Sequence, residues 1–561
     1  MASNQVGLPA SPGAALKTMI SLPGPTDRSD VSYETASAVA RLVAQEPVLF
    51  PTTKPCAYLT GGWVRDRVLG KSAADVDVEV FGVPKDRLLV VLQERFPHRV
   101  IAPSDNPTAP IKVLAGGGLY IDITIPIRST AAHGSSRVSA APAPEISVAE
   151  AASRRDFSCN AIYFDPIREQ YIDPEGGLGD LSRGILRLAS SGMQGILDNG
   201  VALRACRFIA QFGFELEPHS EALVRESVMR DGLDDLPAPF LTKEIRKLLC
   251  ECNEPAKGLR VAESLGVLSS LFPAVAGLRG VPQDSRHHPE GDVLEHTLLV
   301  VDAAALLSRE YPSAERFKIL LAALLHDVGK LTHTKRVESN GLVKITAYGH
   351  EHASAALGAE ALKKLSINSS ARSEILRMVR HHMRLLELDS SHSKPGERFD
   401  NEVRKLVRDV SPADFPAFLT VCRADRLGRG GNVNVHSSNS IFERIEEALA
   451  RCQFLADPKS RLLKGADLER LGFSDAQVDF GLILRTVETS RDAGALKTTQ
   501  EAERFVLRKF ALRQMGKGTF SDLNPKQRED LGRSLSAAIA GGELRSLAEI
   551  VSFMDRRASR L

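Results

Sequence analysis

Gly61-Gly62-Trp63-Val64-Arg65-Asp66 and, one short loop later, Asp75-Val76-Asp77-Val78-Glu79 are the stretches whose reading decides the fold. Tyr58-Leu59-Thr60 before them predicts a short strand ending in the glycine turn, and Trp63 to Leu69 predicts the following helix. Asp75 to Phe81 alternates acidic and apolar residues at period two, a strand pattern. On such a strand Asp75 and Asp77 point to the same face, the geometry for holding one or two Mg²⁺ ions through carboxylate oxygens. Gly61 and Gly62 let backbone approach a phosphate, the helix start offers amide donors, and Arg65 can pair with a triphosphate oxygen. The same residues also fit a surface strand with alternating charge after an ordinary turn. A lone Asp-x-Asp does not separate the two readings; the glycine pair together with both carboxylates points to a metal–phosphate site.

Outward from this stretch, residues 31–50 predict a helix with apolar positions at Ala36, Val39, Leu42 and Val43, and Leu88 to Glu94 another. Ile111 to Leu114 and Tyr120 to Ile125 read as strands around Gly116-Gly117-Gly118. Asp122, between Ile121 and Ile123, is either a third carboxylate of the site or a strand-edge Asp. Residues 130–148, rich in Ala, Ser and Pro, read as a flexible insertion. Arg154-Arg155-Asp156-Phe157-Ser158-Cys159-Asn160-Ala161 is either a polar pocket, with arginines for phosphate and Asp or Asn for ribose, or a capped helix start with a solvated charge pair.

The whole chain, 561 residues with 43% hydrophobic and 25% charged, has room for three or four globular domains. Lys plus Arg is 72 and Asp plus Glu 70, so the net charge of +2 excludes a basic nucleic-acid coat over the whole chain but not a local patch. Apolar runs such as Ile319 to Leu325 are too short to span a bilayer, so no membrane is expected. The seven cysteines are scattered without a CxxC, which argues against a disulfide framework or zinc ribbon and for a reducing compartment. Residues 1–30, rich in Pro, Gly, Ser and Ala, read as poorly ordered and lack the features of a secretory signal, so a cytoplasmic location is the default expectation.

From about residue 185 the pattern turns helical, and ten of the 14 histidines fall between His287 and His392. His296 opens an apolar helix, His326-Asp327 follows the run Ile319 to Leu325, His350 comes next, then His381-His382, and Asp425 lies in Cys422-Arg423-Ala424-Asp425. Mixed imidazole and carboxylate ligands suit a borderline or hard divalent ion. His287, His288, His333 and His392 read as ordinary surface or core side chains, and His352 stays open. Lys330 either steadies a phosphate or faces water.

Two resemblances follow. Gly61-Gly62-x-Val64-Arg65-Asp66, Asp75-x-Asp77, Arg154-Arg155-Asp156-Phe157-x-x-Asn160-Ala161 and Arg204-Ala205-x-Arg207-Phe208 occur in the order of the bacterial-type tRNA nucleotidyltransferase and poly(A) polymerase family, which builds or repairs the CCA end of tRNA. That resemblance implies Mg²⁺ on Asp75 and Asp77, and Arg155, Asp156 and Asn160 around the nucleotide. The histidine series resembles the HD phosphohydrolase superfamily, which implies His296, His326, Asp327 and Asp425 as core metal ligands and His350, His381 and His382 as positions of the two-metal type, with Ni²⁺, Mn²⁺ or Mg²⁺ bound. Leu462-Leu463-Lys464-Gly465-x-Asp467-Leu468 extends the match, which runs from about 55 to 510.

Two motifs depart from the family. Its base-reading segment, Glu-Asp-Pro-x-Arg, stands here as Leu197-Asp198-Asn199-Gly200-Val201: Asp198 is kept, and the arginine is a valine. Its later Glu-Arg-x-x-x-Glu-Leu stands as Pro239-Phe240-Leu241-Thr242-Lys243-Glu244-Ile245. Val201 and Phe240 offer no side-chain donor to a base edge, which leaves Arg204 and Arg207 as nearby candidates.

The expected chain is α+β: a disordered 1–30 by composition, a nucleotidyltransferase palm over 31–180 whose period-two patterning gives about five mixed strands between 55 and 180, and, with the resemblance, a helical neck and RNA-binding domain over 181–280, an HD domain over 281–435 and a helical region over 436–561. The resemblance implies transfer of CMP and AMP from CTP and ATP to a tRNA 3′ end, with the altered base-reading residues also compatible with poly(A)-type or single-nucleotide tailing. A non-catalytic RNA-binding palm beside an active HD hydrolase is the remaining reading. Oligomeric state does not follow from the sequence.

Overall fold

The computed structural model describes residues 31–71, 75–101, 106–131, 138–193, 200–339, 342–391, 397–429, 435–452, 462–474, 479–492, 496, 498–514 and 525–558. The segment 1–30, expected to be disordered, lies outside the described residues, as do Asp198 and His392.

The N-terminal part is built on a mixed seven-stranded sheet. Its strands are β1 (Cys56–Thr60), β2 (Val76–Phe81), β3 (Val100–Ile101), β4 (Ile111–Gly116), β5 (Leu119–Thr124), β8 (Tyr163–Asp165) and β9 (Gln170–Ile172), in the order β3-β4-β5-β2-β1-β8-β9. Only β2 and β5 pair in parallel; every other neighbour is antiparallel. The period-two pattern has its physical counterpart here: in β4 burial alternates strictly, with Ile111, Val113 and Ala115 buried. Helix α1 (Val31–Val43) lays Ala36, Val39, Ala40 and Val43 into the core, and its Tyr33 stacks on Trp63 at 5.9 Å. Helix α2 (Gly61–Val68) leaves β1 directly at Gly61, two residues before the predicted start, and α3 (Lys85–Arg95) follows β2.

Two expectations need correction. The sheet has seven strands rather than about five, because β3 and β8, of two and three residues, are too short to show a period. Residues 130–148 were expected to be a flexible insertion, yet β6 (Ile127–Ala131) and β7 (Val138–Pro142) pair as an antiparallel hairpin with Ile127 opposite Pro142. Ala and Ser carry little strand propensity, so the pairing left no hydrophobic signature.

Beyond the sheet the chain is helical, as its 3.6-residue periodicity predicts. Helices α4 (Gly200–Phe212), α5 (Ala238–Glu251) and α6 (Pro255–Ser264) pack on one another. Next come α7 (Val293–Leu307), α8 (Ser313–Leu325), α9 (His350–Ala361), α10 (Ser369–His381) and α11 (Phe415–Leu427). Asp292 caps α7 by accepting the Glu295 amide at 2.8 Å. The run Ile319 to Leu325 is buried on every face, which identifies α8 as a central core helix. Two strand pairs interrupt the helices: Ile185–Leu186 runs parallel to Glu215–Leu216, and β10 (Lys335–Ser339) and β11 (Leu342–Thr346) form an antiparallel hairpin.

The chain divides into two compact units, one of residues up to Arg380 together with Arg423–Gly431, the other of His381–Cys422 with Asn432–Leu561. The second is helical among its described residues, with Leu463, Leu468, Phe473, Ile483, Val506, Phe510, Leu535 and Ile550 in its core. Among the described residues no helix is long and apolar enough to cross a membrane.

Gly258 lets α6 lie against α4: a Cβ there would come within 2.5 Å of the Cys206 carbonyl oxygen and of Leu248 Cδ1. Gly258→Ala is therefore expected to destabilise the first unit by about 1–3 kcal/mol through overpacking. Gly532→Ala, where nothing lies within 4 Å of the added Cβ, is expected to be neutral or stabilising. Thermal unfolding of both variants checks the contrast.

Candidate active sites

In the first site, strand register assembles a row of polar side chains. Thr60 on β1 is opposite Asp77 on β2, Asp77 is opposite Asp122 on β5, and Asp122 is opposite Lys112 on β4. Asp75, exposed, precedes Asp77 by two residues, while Asp77 and Asp122 are half-buried. Burial pushes the Asp77 carboxyl up to about 6; Arg155 opposes that rise, and Asp122 and Asp75 reinforce it. Three carboxylates that repel one another at a partly exposed position form a donor set that fits a hard divalent cation. Lys112, which the sequence reading did not single out, places its Nζ 2.6 Å from Asp122. Gly61 closes the site from the side: its φ is +70°, and a Cβ would sit 3.3 Å from Asp77 Oδ2.

The remaining polar residues of this half are paired in three groups. Asp156 Oδ1 accepts from the Phe157 amide at 2.8 Å and from Asn160 Nδ2 at 2.9 Å, while Arg204 Nε is 3.0 Å from its other oxygen. Asn160 Oδ1 accepts from Arg65 Nη1 at 2.8 Å. Arg65 is buried, pairs with Asp66, and stacks its guanidinium 4.9 Å over Phe208 and 4.7 Å over Phe212. Gly62 stands within α2 beside the Arg65 guanidinium. Arg155 donates to Glu79 at 2.9 Å, and Glu79 also accepts from the Tyr163 hydroxyl at 2.6 Å. Arg207 donates to Glu244 at 2.8 Å. Val201 is buried on α4.

The second site lies among α7, α8, α9 and α11. His296, His326, Asp327, His350 and Asp425 are all buried. His296 Nε2 lies 3.0 Å from Asp425 Oδ1 and 3.7 Å from Asp327 Oδ2. His326 Nε2 lies 3.2 Å from Asp327 Oδ2, and His350 Nε2 3.0 Å from Asp327 Oδ1. Ligand atoms adjacent around an octahedral ion at about 2.1 Å stand about 3 Å apart, so the donor set fits a divalent metal. Burial works against the charged forms, but Arg429 and His296 hold Asp425 well below the usual carboxylate range. For His296 too, Asp425 and Glu290 overcome burial and raise the imidazole to about 8. Lys330 reaches Asp327 at 2.7 Å and Gln283 at 2.8 Å, so it faces the cluster and not water. His381 and His382 belong to the second unit, where His382 is buried and its carbonyl accepts from Cys422 Sγ at 3.6 Å.

His288 corrects the sequence reading. It was expected to be an ordinary side chain, yet its ring packs edge-on against His296 at 4.8 Å, and both rings reach Glu290. The spacing His288-x-Glu290 lies in an irregular segment, where no period marks which side chains turn inward. His287 and His352 are exposed, in keeping with surface roles.

A mixed sheet carrying clustered carboxylates, followed by helices that bury a His/Asp cluster, defines a nucleotidyltransferase head joined to an HD domain. The family model for the Poly A polymerase head domain matches residues 57–187, and that for the HD domain matches residues 293–414. The multifunctional CCA protein of Nitrosomonas eutropha is 31% identical over 390 residues, spanning 67% of this chain and 84% of that one; its counterpart in Nitrosospira multiformis is 30% identical over 382 residues, with the same coverage. A CCA-adding enzyme solved in an apo form matches with a TM-score of 0.56 at 20% identity, over 85% of this chain and 95% of its own; one from Thermotoga maritima, complexed with tRNA, matches at 0.50 and 20% identity, over 84% and 94%. The chain belongs to the CCA-adding enzyme family, in the form that carries an HD domain, and its chemistry is nucleotidyl transfer together with metal-dependent hydrolysis.

The Arg207–Glu244 pair, with side chains 11% and 6% exposed, joins α4 to α5. Arg207→Met leaves the Glu244 charge buried and unpaired and is expected to cost about 3 kcal/mol. Adding Glu244→Gln should recover much of that loss. A double-mutant cycle by urea unfolding measures the coupling.

Proposed function

We propose that the chain adds C and A nucleotides to the 3′ end of tRNA from CTP and ATP, and that its HD half hydrolyses a phosphate ester. The observation that carries the first part is the register of Asp77 beside Asp122 on parallel strands, with Asp75 two residues away and exposed. A remnant palm would bury these carboxylates against apolar neighbours; their partial exposure favours a working site. In this reading residues 31–180 are the palm, 181–280 the neck, 281–435 the HD domain and 436–561 a helical extension. Cys56, Cys159, Cys206, Cys250, Cys252 and Cys422 are free, in keeping with a reducing, cytoplasmic setting.

Asp75 and Asp77 would hold Mg²⁺, which when bound activates the attacking 3′-hydroxyl and neutralises phosphate charge. Gly61 keeps the space beside Asp77 clear of side chain. Arg155 places positive charge near the same carboxylates, where a triphosphate would lie. Asp156 and Asn160, bonded to each other, hold Arg65 and Arg204 in place and leave remaining acceptor capacity for a ribose. The tRNA acceptor is read mainly by shape and backbone along the helical body. His296, His326, Asp327 and Asp425, with His350, would hold the HD metal, while His381 and His382 are further candidates. That metal supplies an activated water, and Lys330 adds a positive charge at Asp327. Ni²⁺, Mn²⁺ and Mg²⁺ all fit the mixed donors.

Asp75→Ala or Asp77→Ala is expected to abolish labelled CTP and ATP incorporation into tRNA transcripts ending before CCA, before CA and before A. Both variants should keep a wild-type unfolding midpoint. Asp122→Ala should lose as much activity if Asp122 is a ligand, and less if it acts through Lys112.

A second reading, relaxed base selection or single-nucleotide tailing, is favoured by one observation. Val201 is buried where the family has an arginine, and Arg204 and Arg207 are engaged with Asp156 and Glu244. A missing bidentate arginine contact removes about 1–3 kcal/mol of discrimination, so kcat/KM for CTP and ATP at a given tail position should differ by less than about 100-fold. Sharp selectivity that survives Arg204→Ala and Arg207→Ala would refute this reading.

A further inference from the structure

Each of three buried histidines of the HD cluster presents Nε2 inward and anchors Nδ1 behind. His326 Nδ1 bonds the Ala323 carbonyl at 2.8 Å and His350 Nδ1 the Ala347 carbonyl at 2.6 Å, both three residues back along the chain. His296 differs: its Nδ1 lies 2.8 Å from Glu290 Oε1. Glu290 also takes His288 Nδ1 at 2.8 Å, and its side chain is 2% exposed. The segment that carries it is fixed at its end by Asp292, which caps α7 and accepts the Gly280 amide at 2.8 Å.

We propose that Glu290 is a positioning residue for the metal centre: its carboxylate fixes His296 as the Nδ1–H tautomer with Nε2 turned to the metal, and His288 in turn holds Glu290. This rests on the metal-centre reading of the cluster. A carboxylate behind an imidazole ligand sets ring orientation and raises ligand basicity, and loss of such a partner typically weakens metal binding about 10–100-fold. Carbonyl anchors do the first task at His326 and His350 but bring no charge, so His296 is the ligand whose donor strength this device raises.

His288, Glu290 and His296 also come close enough to ligate an ion by themselves. With a metal also held at Nε2, that alternative would make His296 an imidazolate bridging two ions, deprotonated at both nitrogens. An Nδ1–H directed at the Glu290 carboxylate needs no such ionisation, and Glu290 Oε1 stands 2.8 Å from Nδ1 of both rings.

The test is Ni²⁺ titration calorimetry on the full chain in an Asp75→Ala/Asp77→Ala background, which removes the palm carboxylates from the measurement. Glu290→Ala should weaken Ni²⁺ binding 10- to 100-fold. Glu290→Gln, which keeps an acceptor for Nδ1–H and loses the charge, should lie between Glu290→Ala and the parent. His288→Ala should weaken binding less than Glu290→Ala, with unchanged stoichiometry. Circular dichroism checks folding, and Glu290→Gln serves where Glu290→Ala does not fold. Parent-like affinity in a folded Glu290→Ala, or in Glu290→Gln where that variant must serve, overturns the proposal while leaving the metal centre standing. Loss of one metal equivalent in His288→Ala overturns it in favour of a separate site. A parent chain that binds no Ni²⁺ overturns the metal-centre reading and this proposal with it.

Discussion

The parallel pairing of β2 with β5 is the constraint on which the head depends. It is the one parallel contact in an otherwise antiparallel sheet, and it sets Asp77 and Asp122 level on adjacent strands. A one-residue slip in that register would put Asp77 and Asp122 on opposite faces of the sheet. The apolar neighbours prevent the slip, because Val76, Val78, Ile121 and Ile123 are all buried and a shift would expose them. The hydrophobic core therefore fixes the spacing of the charges, and the repulsion among the carboxylates is the cost that the core carries.

The same logic governs the join between head and helices. Arg65 leaves α2, crosses to Asn160, and stacks on Phe208 and Phe212 of α4. Arg204, also on α4, returns to Asp156, which holds Asn160. Residues far apart in sequence thus form one closed circuit of charge and hydrogen bonds, in which each buried polar group has a partner. An arginine expected from the sequence to face a phosphate is instead the link between two structural layers. Arg204, held in this circuit, and Arg207, paired with Glu244, reach a base only by exchanging partners, which links the altered base-reading motif to the proposed relaxed selection.

The sequence made the head legible where one face of an element was wet and the other dry. Ile111 to Leu114 read correctly as a strand because its burial alternates, Asp75 to Phe81 because its acidic and apolar residues alternate in sequence even though Val78 to Phe81 are all buried, and the run Ile319 to Leu325 read as buried because it offers no polar face at all. The hairpin of β6 and β7 was not legible, since Ser, Thr, Ala and Pro leave no period, and β10 and β11 were lost among helices. The metal-ligand candidates His296, His326, Asp327 and Asp425 came from the density of histidines and the resemblance to HD domains. Glu290 and His288 were not legible, because they stand in an irregular segment whose inward direction is fixed by the Asp292 cap and the Gly280 amide, contacts that no local pattern records.

The two sites differ in a way that their donor chemistry explains. The head offers carboxylates alone, partly exposed, with a lysine beside one of them. A hard ion that keeps much of its water suits such a site, since few protein ligands are needed and the substrate phosphates supply the rest. The HD cluster buries imidazole nitrogens with carboxylates, and its histidine Nδ1 atoms are anchored from behind, so it suits an ion that is stripped of more water and held by the protein itself. One chain can then carry two metal-dependent chemistries without the sites competing for the same ion. Under the proposed reading, the ion of the head would travel with the nucleotide, while that of the HD half would be held by the protein itself.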